Sequence, residues 1–191
     1  MKVYVFYTNS IIEYFNILKQ SIEESKNLEI VPVLGHIDTA DDLSGETGNR
    51  EYMKLMLSRW LTLPDIIRNN LGANILFIDA DIVFNKYKKD FVENIESFLK
   101  DNDIVTQYDT NSGMSARINM GFLGIKCNEK TLSMFLKFVD MISKIKSPKQ
   151  GYPQVEFNDY LKNKNDELIK FKTLPRDYGY LTTNCSFFLN L

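Results

Sequence analysis

The sequence predicts an α/β fold in which a Rossmann-like, mainly parallel central sheet is flanked by helices. Two kinds of segment support this prediction. Short apolar runs such as Val3–Tyr7 and Ile75–Ile78 are typical of strands that are covered on both faces. Between such runs, apolar residues recur at helical spacing, and strands separated by helices of this length form βαβ units. The chain has no internal repeat and no low-complexity linker, so residues 1–191 are expected to form a single domain.

The first elements follow directly from these periods. Val3–Tyr7 predicts the first strand, and Ser10 stands three residues before Glu13, the capping-box spacing that begins a helix. Apolar residues at helical spacing continue that helix and would pack one stripe against the sheet. Glu29–Leu34 predicts a second strand. Its Pro32 lacks an N–H donor, so we expect this strand at a sheet edge or a bulge.

Two helical pieces are predicted next, because a proline interrupts the pattern. A helix should run from about Arg50 to Leu63 and end at Pro64. Pro64 would begin a second helical piece that continues to Asn70. Gly72 then suits a turn that ends a helix.

The middle of the chain carries the clearest strand pattern. Ile75–Phe84 predicts a strand that Asp79 and Asp81 interrupt. Phe91–Leu99 has the spacing of an amphipathic helix, and Asp103–Gln107 predicts the next strand.

The last third of the chain continues the alternation. Tyr108–Arg117 is polar and predicts a loop, whereas Ile118–Lys126 predicts a strand whose two glycines allow another group to approach closely. Asn128 should cap the following helix. A further helix is expected over Pro153–Lys164 and a late strand over Leu168–Lys172.

Composition and charge exclude several classes of function. Lys and Arg number 23 against 25 Asp and Glu, so the net charge is −2 and no broad basic face is available for nucleic acid. The chain shows neither the roughly 18 apolar residues of a membrane span nor the apolar region of a signal peptide. Cys127 and Cys185 are too few for a disulfide framework and are expected to be buried free thiols. We therefore expect a cytoplasmic protein, or a domain excised from a longer chain.

Asp79-Ala80-Asp81 is the strongest chemical signal in the sequence. It follows the buried strand, and in such sheets ligands bind beyond the carboxyl ends of the strands. Two neighbouring carboxylates repel each other, and a bound cation relieves that repulsion. Their oxygens are ligands suited to Mg²⁺ or Mn²⁺, which typically keep waters and bind phosphate oxygens. An isolated Asp-x-Asp motif is more often a solvated pair of acids. Between two apolar runs, however, acids lower the stability of the fold, which favours a functional role for them.

The segment Leu76–Phe84 resembles the DxD segment of nucleotide-diphospho-sugar transferases, the glycosyltransferases of GT-A fold. Ile118–Gly124 is similar to the Asn-x-Gly strand that lines the sugar pocket in that family. Gln154–Asn158 resembles the start of its late helix, and the whole resemblance covers about Val3–Leu161. It implies transfer of a sugar from a nucleoside diphosphate sugar, with UDP favoured, to a hydroxyl group of a glycan or glycoprotein.

The resemblance also implies a set of donor-binding residues. Asp79 and Asp81 would hold the Mn²⁺ or Mg²⁺ that binds the donor's diphosphate. Arg59 would also bind the donor, although it could be a solvent-facing helix residue. Asn119 and Gly121 would line the sugar pocket, although they could simply mark a bulge or tight packing. The complete predicted donor site comprises Thr8, Asn9, Ser10, Arg59, Asp79, Ala80, Asp81, Asn119, Gly121 and Gln154.

Two departures from the family pattern concern the metal and the late helix. Many relatives supply a further metal ligand, a histidine, near the C-terminus, whereas the only histidine here is His36. His36 itself is best explained as a surface loop residue. Pro153 stands where the late helix usually has an acid.

The general base and the reaction class remain open at this point. Asp109, Glu156 and Asp159 are the available acids, and the sequence does not choose among them. One alternative function is a haloacid-dehalogenase-like phosphatase that would use Asp79 and Asp81. The other is a nucleotide-sugar-binding domain without turnover. The sugar, the acceptor, the stereochemistry and the oligomeric state are not encoded in residue spacing.

Overall fold

The computed structural model describes residues 1–23, 27–35, 50–82, 90–109, 117–145, 153–163 and 169–174, of which residues 10, 23, 50–53, 108, 109, 117, 162 and 163 are described by their backbone alone. The strands are β1 (Lys2–Tyr7), β2 (Glu29–Leu34), β3 (Asn74–Asp79), β4 (Ile104–Asp109), β5 (Arg117–Lys126) and β6 (Phe171–Thr173). The helices are α1 (Ile12–Glu23), α2 (Arg50–Arg68), α3 (Phe91–Asp101), α4 (Glu129–Ser143) and α5 (Pro153–Asn163), with a short 3₁₀ helix at Asn9–Ile11.

The six strands form one sheet in the order β2-β1-β3-β5-β4-β6. Strands β1, β2 and β3 are mutually parallel, as are β4 and β6, and only β5 runs in the opposite direction. The predicted mainly parallel sheet is therefore confirmed. The predicted edge position of Pro32 is confirmed as well, since β2 is the outermost of the described strands on its side of the sheet.

Helices cover both faces of the sheet, because alternate residues of each strand point to opposite sides. Val3 and Ile78 belong to a buried cluster with residues of α1 and α3, including Leu18 and Ile95. On the other face, Phe77 and its neighbours pack against α2, α4 and α5. The aromatic side chains of this second cluster are Tyr4, Trp60, Phe77, Phe135, Phe138, Phe157 and Tyr160.

The interruption predicted at Pro64 is wrong, because α2 continues through this residue to Arg68. A proline removes one helical hydrogen bond and crowds the preceding turn. Here the buried face extends across it, with Leu63 before the proline and Ile67 after it both fully buried. Packing of that face outweighs the local cost. Gly72 does occupy the predicted turn, with φ at 86°.

Several predicted boundaries differ from the structure. Ser10 lies inside the 3₁₀ helix, and α1 begins only at Ile12, so the helix starts later than predicted; the side-chain contacts of Ser10 lie outside what the structure describes. The strand predicted over 75–84 ends at Asp79, and β4 and β5 extend into the predicted loop as far as Asp109 and Arg117. The cap at Asn128 is confirmed, since its side chain accepts a hydrogen bond from the Thr131 N–H.

Cys127 is a buried free thiol, as expected, whereas Cys185 and His36 lie outside the described residues. Among the residues that the structure describes, no helix combines the length and the apolar character needed to cross a membrane.

Candidate functional site

The predicted donor residues meet at one edge of the sheet. Phe6 of β1 pairs with Asp79 of β3, so Thr8 and Asp79 lie at the carboxyl ends of two neighbouring parallel strands. Because β5 is antiparallel, its first half reaches the same edge. Ile78 pairs with Phe122, which places Gly121 beside Asp79. Strand β4 ends at this edge too, where Asp109 pairs with Arg117.

The Asp79 carboxylate forms an ion pair with a buried arginine. The Nη2 atom of Arg59 lies 2.8 Å from Asp79 Oδ1 and donates a hydrogen bond to the Met120 carbonyl oxygen at 3.0 Å. The guanidinium carbon lies 4.6 Å from the centre of the Trp60 ring and 4.9 Å from that of Phe77. Arg59 is only 3% exposed, so the alternative of a solvent-facing helix residue is wrong.

Gly121 is a close-approach position. A Cβ atom there would lie 2.6 Å from Asp79 Oδ2 and 3.0 Å from Asn119 Oδ1. The Gly121 N–H donates to that same Asn119 oxygen at 2.6 Å. A larger residue here would therefore force the Asp79 carboxylate to move.

A bulge in β5 produces this arrangement. Thr106 pairs with Leu123 while Gln107 pairs with Asn119, so the residues between 119 and 123 have no partner on β4. The Thr106 hydroxyl donates to the Asn119 carbonyl oxygen at 2.8 Å. The bulge expected as one explanation of Asn119 and Gly121 is therefore present.

Two amide side chains of α5 complete the hydrogen bonding of β5 beyond the end of β3. Asn158 Oδ1 accepts from the Ile118 N–H at 2.8 Å, and its Nδ2 donates to the Ile118 carbonyl oxygen at 3.1 Å. Gln154 Oε1 accepts from the Met120 N–H at 3.2 Å. These amides take the place of a neighbouring strand and fix the backbone that carries Gly121.

Replacing Asn158 by Ala should therefore lower the free energy of unfolding by about 1–3 kcal/mol, the usual cost of leaving a buried polar group unpaired. Chemical denaturation would measure this change. Asn16→Ala, at an exposed position of α1, is the matched control and should leave stability unchanged or slightly raised. Equal midpoints for the two variants would show that the Asn158 contacts do not hold β5.

Asp81 and Asp79 are crowded by protein although both keep solvent contact, and the Asp79 side chain is 38% exposed. Desolvation, followed by the negative charge of Asp79, raises the pKa of Asp81 to about 6. Desolvation also raises the pKa of Asp79, and the positive charge of Arg59 opposes that shift without cancelling it. Two carboxylates that are disfavoured as anions are a good place for a cation.

The donor set fits a hard divalent cation. Arg59 is paired with Asp79 Oδ1, while Oδ2 lies over Gly121, and the Asp81 side chain is exposed at the same edge. Among the described side chains, no group of three or more His, Cys, Asp or Glu residues is arranged to hold a metal. Mg²⁺ or Mn²⁺ commonly binds one or two carboxylates and completes its shell with water and phosphate.

The other predicted donor residues also lie at the carboxyl edge. Thr8 is buried after β1 and Asn9 is exposed in the 3₁₀ helix, while only the backbone of Ser10 is described. Ala80 is 1% exposed and packs into the core between the two acids. Their contacts with a donor remain predictions.

Of the three candidate bases, Asp109 alone ends a strand at the site edge, and only its backbone is described. At 100° per residue, Glu156 lies opposite the α5 face that carries Gln154 and Asn158, and Asp159 is also turned away from β5. Burial, followed by the charge of Asp159, raises the pKa of Glu156. The geometry brings neither α5 acid to Asp79.

The sequence did not single out Asn158 as a residue of the site. The spacing of the amides at positions 154 and 158 could have indicated it, because residues four apart share one helix face. The Met120 carbonyl oxygen carried no signal, since a backbone acceptor is not visible in residue identity.

The fold is similar to three glycosyltransferase structures. They are GlyE from Streptococcus pneumoniae TIGR4 (16% identity, TM-score 0.59), an enzyme involved in glycosylation of the major capsid of PBCV-1 (15%, 0.58) and the galactosyltransferase LgtC (13%, 0.55). These matches cover 93%, 91% and 91% of this chain and 45%, 80% and 73% of those chains. At such identities the likeness shows the fold.

Sequence comparison adds the family. An uncharacterized Arabidopsis thaliana protein is 27% identical over 144 residues, which cover 74% of this chain. The chain spans 39% of the length of that relative and 45% of GlyE. The model of the nucleotide-diphospho-sugar transferase family matches residues 18–188. This chain therefore belongs to the nucleotide-diphospho-sugar transferase family.

Proposed function

We propose that this chain is a metal-dependent glycosyltransferase that moves a sugar from a nucleoside diphosphate sugar, with UDP as the preferred nucleotide, to a hydroxyl group of a glycan or glycoprotein. One observation carries the proposal. Asp79 and Asp81 stand at the carboxyl edge of the sheet, and the Asp79 carboxylate is held against Gly121 and Arg59. Family membership supports the donor class and removes the support for a phosphatase.

Asp79 and Asp81 are the residues that would hold Mn²⁺ or Mg²⁺. When bound, the cation would supply charge stabilisation to the departing diphosphate. Gly121 leaves room for the Asp79 carboxylate, and Arg59 fixes which of its oxygens faces the protein. Thr8 and Asn9, at the end of β1, would contact the nucleoside.

Asp109 is the general base that the backbone geometry favours. Strand β4 delivers it to the edge that also carries Asp79, whereas Glu156 and Asp159 lie on the parts of α5 that face away from β5. A base must reach the acceptor hydroxyl at hydrogen-bond distance. Asp109→Asn should lower turnover of bound substrates more than it lowers donor affinity.

The donor site is tested first by calorimetric titration with UDP, GDP and their common sugar conjugates, with Mn²⁺ and then with the metal chelated. We expect one nucleotide to bind, with affinity lost on chelation. Release of free sugar or transfer to an acceptor would support turnover. Binding without either reaction would identify a nucleotide-sugar-binding domain, and no binding to any nucleotide would contradict the proposal.

The affinity for Mn²⁺ with UDP should fall as the pH is lowered. The pKa of Asp81 is raised to about 6, so its carboxyl group is ionised at pH 7.5 and largely protonated at pH 5. Protons then compete with the cation, and below pH 6 we expect a loss of about tenfold per pH unit. Titrations at several pH values would measure this loss. A constant affinity from pH 7.5 to 5 would exclude Asp81 as a ligand.

A further inference from the structure

Arg59 is an unusual residue for the apolar face of α2. It is 3% exposed between two aromatic rings, and its Nε atom is buried without a hydrogen-bond partner among the described residues. A buried donor without an acceptor lowers stability, and a buried charge lowers it further. An apolar side chain would fill the same space without this cost. Stability alone therefore does not explain an arginine here.

The charge of Arg59 is directed at the carboxylate pair. Its only described polar contacts are Asp79 Oδ1 at 2.8 Å and the Met120 carbonyl oxygen at 3.0 Å. Asp79 and Asp81 each carry −1 when ionised and Arg59 carries +1, so the three side chains together carry −1. A divalent cation placed at this site would leave a net charge of +1 and would be repelled by the guanidinium. The diphosphate of a nucleotide supplies the negative charge that balances the cation and the guanidinium.

We propose that Arg59 is a positioning residue that makes metal binding depend on the nucleotide. It holds Asp79 Oδ1 and keeps the carboxylate pair too weakly negative to retain a divalent cation alone. This inference rests on the proposed metal site at Asp79 and Asp81. Metal and nucleotide then strengthen each other's binding by the same factor, as linkage requires.

The experiment measures Mn²⁺ binding from the spectroscopic signal of free Mn²⁺, with and without UDP. The variant is Arg59→Met, in which a flexible apolar side chain occupies the space between Trp60 and Phe77. Arg68→Met removes the same charge from an exposed position of the same helix and is the matched control. Thermal unfolding reports whether each variant is folded.

In the wild-type protein we expect UDP to raise the affinity for Mn²⁺ at least about tenfold. Arg59→Met should bind Mn²⁺ alone about tenfold more tightly than the wild-type protein, because the repelling charge has gone. UDP should then raise the Mn²⁺ affinity of this variant by a smaller factor than in the wild-type protein. Arg68→Met should match the wild-type protein. A merely structural role for Arg59 does not predict a gain in affinity on its removal.

The outcomes are distinguishable. No Mn²⁺ binding with or without UDP would overturn the proposed metal site itself. Equal Mn²⁺ affinity of the wild-type protein with and without UDP would overturn the role of Arg59 and leave the metal site standing. This wild-type measurement can therefore overturn the role even where Arg59→Met does not fold, whereas support for the role requires the folded variant. A folded Arg59→Met with unchanged or weaker Mn²⁺ binding would also overturn the role.

Discussion

Asp79→Asn and Asp81→Asn should each lower sugar transfer by about 100-fold or more. An amide oxygen is a neutral and weaker ligand than a carboxylate, and substitutions even one shell further from a metal cost about 10–100-fold. Turnover with a UDP-sugar and Mn²⁺, measured alongside Mn²⁺ affinity, would show the loss. Full activity of both variants would exclude the metal role of this pair.

Neither variant should lose stability, which provides an internal control. Burial raises the pKa of Asp79 despite its ion pair with Arg59, so its anion also destabilises the fold, and Asp79→Asn should not lower the free energy of unfolding at pH 7.5. Asp81 has a pKa raised above its usual value, so its anion destabilises the fold as the pH rises through about 6. Asp81→Asn should therefore be at least as stable as the wild-type protein at pH 7.5.

Gly121→Ala is expected to have the next largest effect on function. The new Cβ atom would lie 2.6 Å from Asp79 Oδ2, and atoms do not approach that closely, so the carboxylate must move. Arg59 restrains its other oxygen, which limits how the side chain can adjust. Misplacing a group at the site of chemistry by about 1 Å can cost about 100-fold. We expect a loss of that order in transfer and in Mn²⁺ affinity.

Gly124→Ala is the matched control on the same strand. Its Cβ would meet Ile95 Cγ2 at 3.2 Å and Val105 Cβ at 3.4 Å, both in the core and away from Asp79. This variant should lose some stability to overpacking and keep its Mn²⁺ affinity. If the two glycine variants lose Mn²⁺ affinity equally, crowding of Asp79 is not the cause.

Local patterns predicted the elements well but not how they meet. Alternation of apolar strands and helical stripes specified most strands and helices, because each period reflects which face is buried. It failed at Pro64, where burial of Leu63 and Ile67 outweighs a local preference. It predicted a mainly parallel sheet but did not show that β5 runs opposite to its neighbours. The reversed direction of β5 brings Gly121 to the site, and it depends on the path that the chain takes between β4 and β5.

The candidate site was likewise predicted only in part, because local patterns do not show which elements meet. Asp79 and Asp81 were visible because acids after an apolar strand conflict with their surroundings. The ion pair of Arg59 joins residues 20 positions apart and depends on how α2 packs over β3. The contacts of Asn158 span 40 positions. Such long-range pairs arise from packing and leave no local trace in a single sequence.

The outer strands of the sheet have a consequence for self-association. Exposed strand edges are templates on which a second copy can add a strand and begin an aggregate. Among the described strands, one outer strand is β2, where Pro32 lacks the N–H that such a ladder requires, and the other is β6, only three residues long. Both outer strands are therefore poor templates, and concentrated protein should resist edge-to-edge fibre formation.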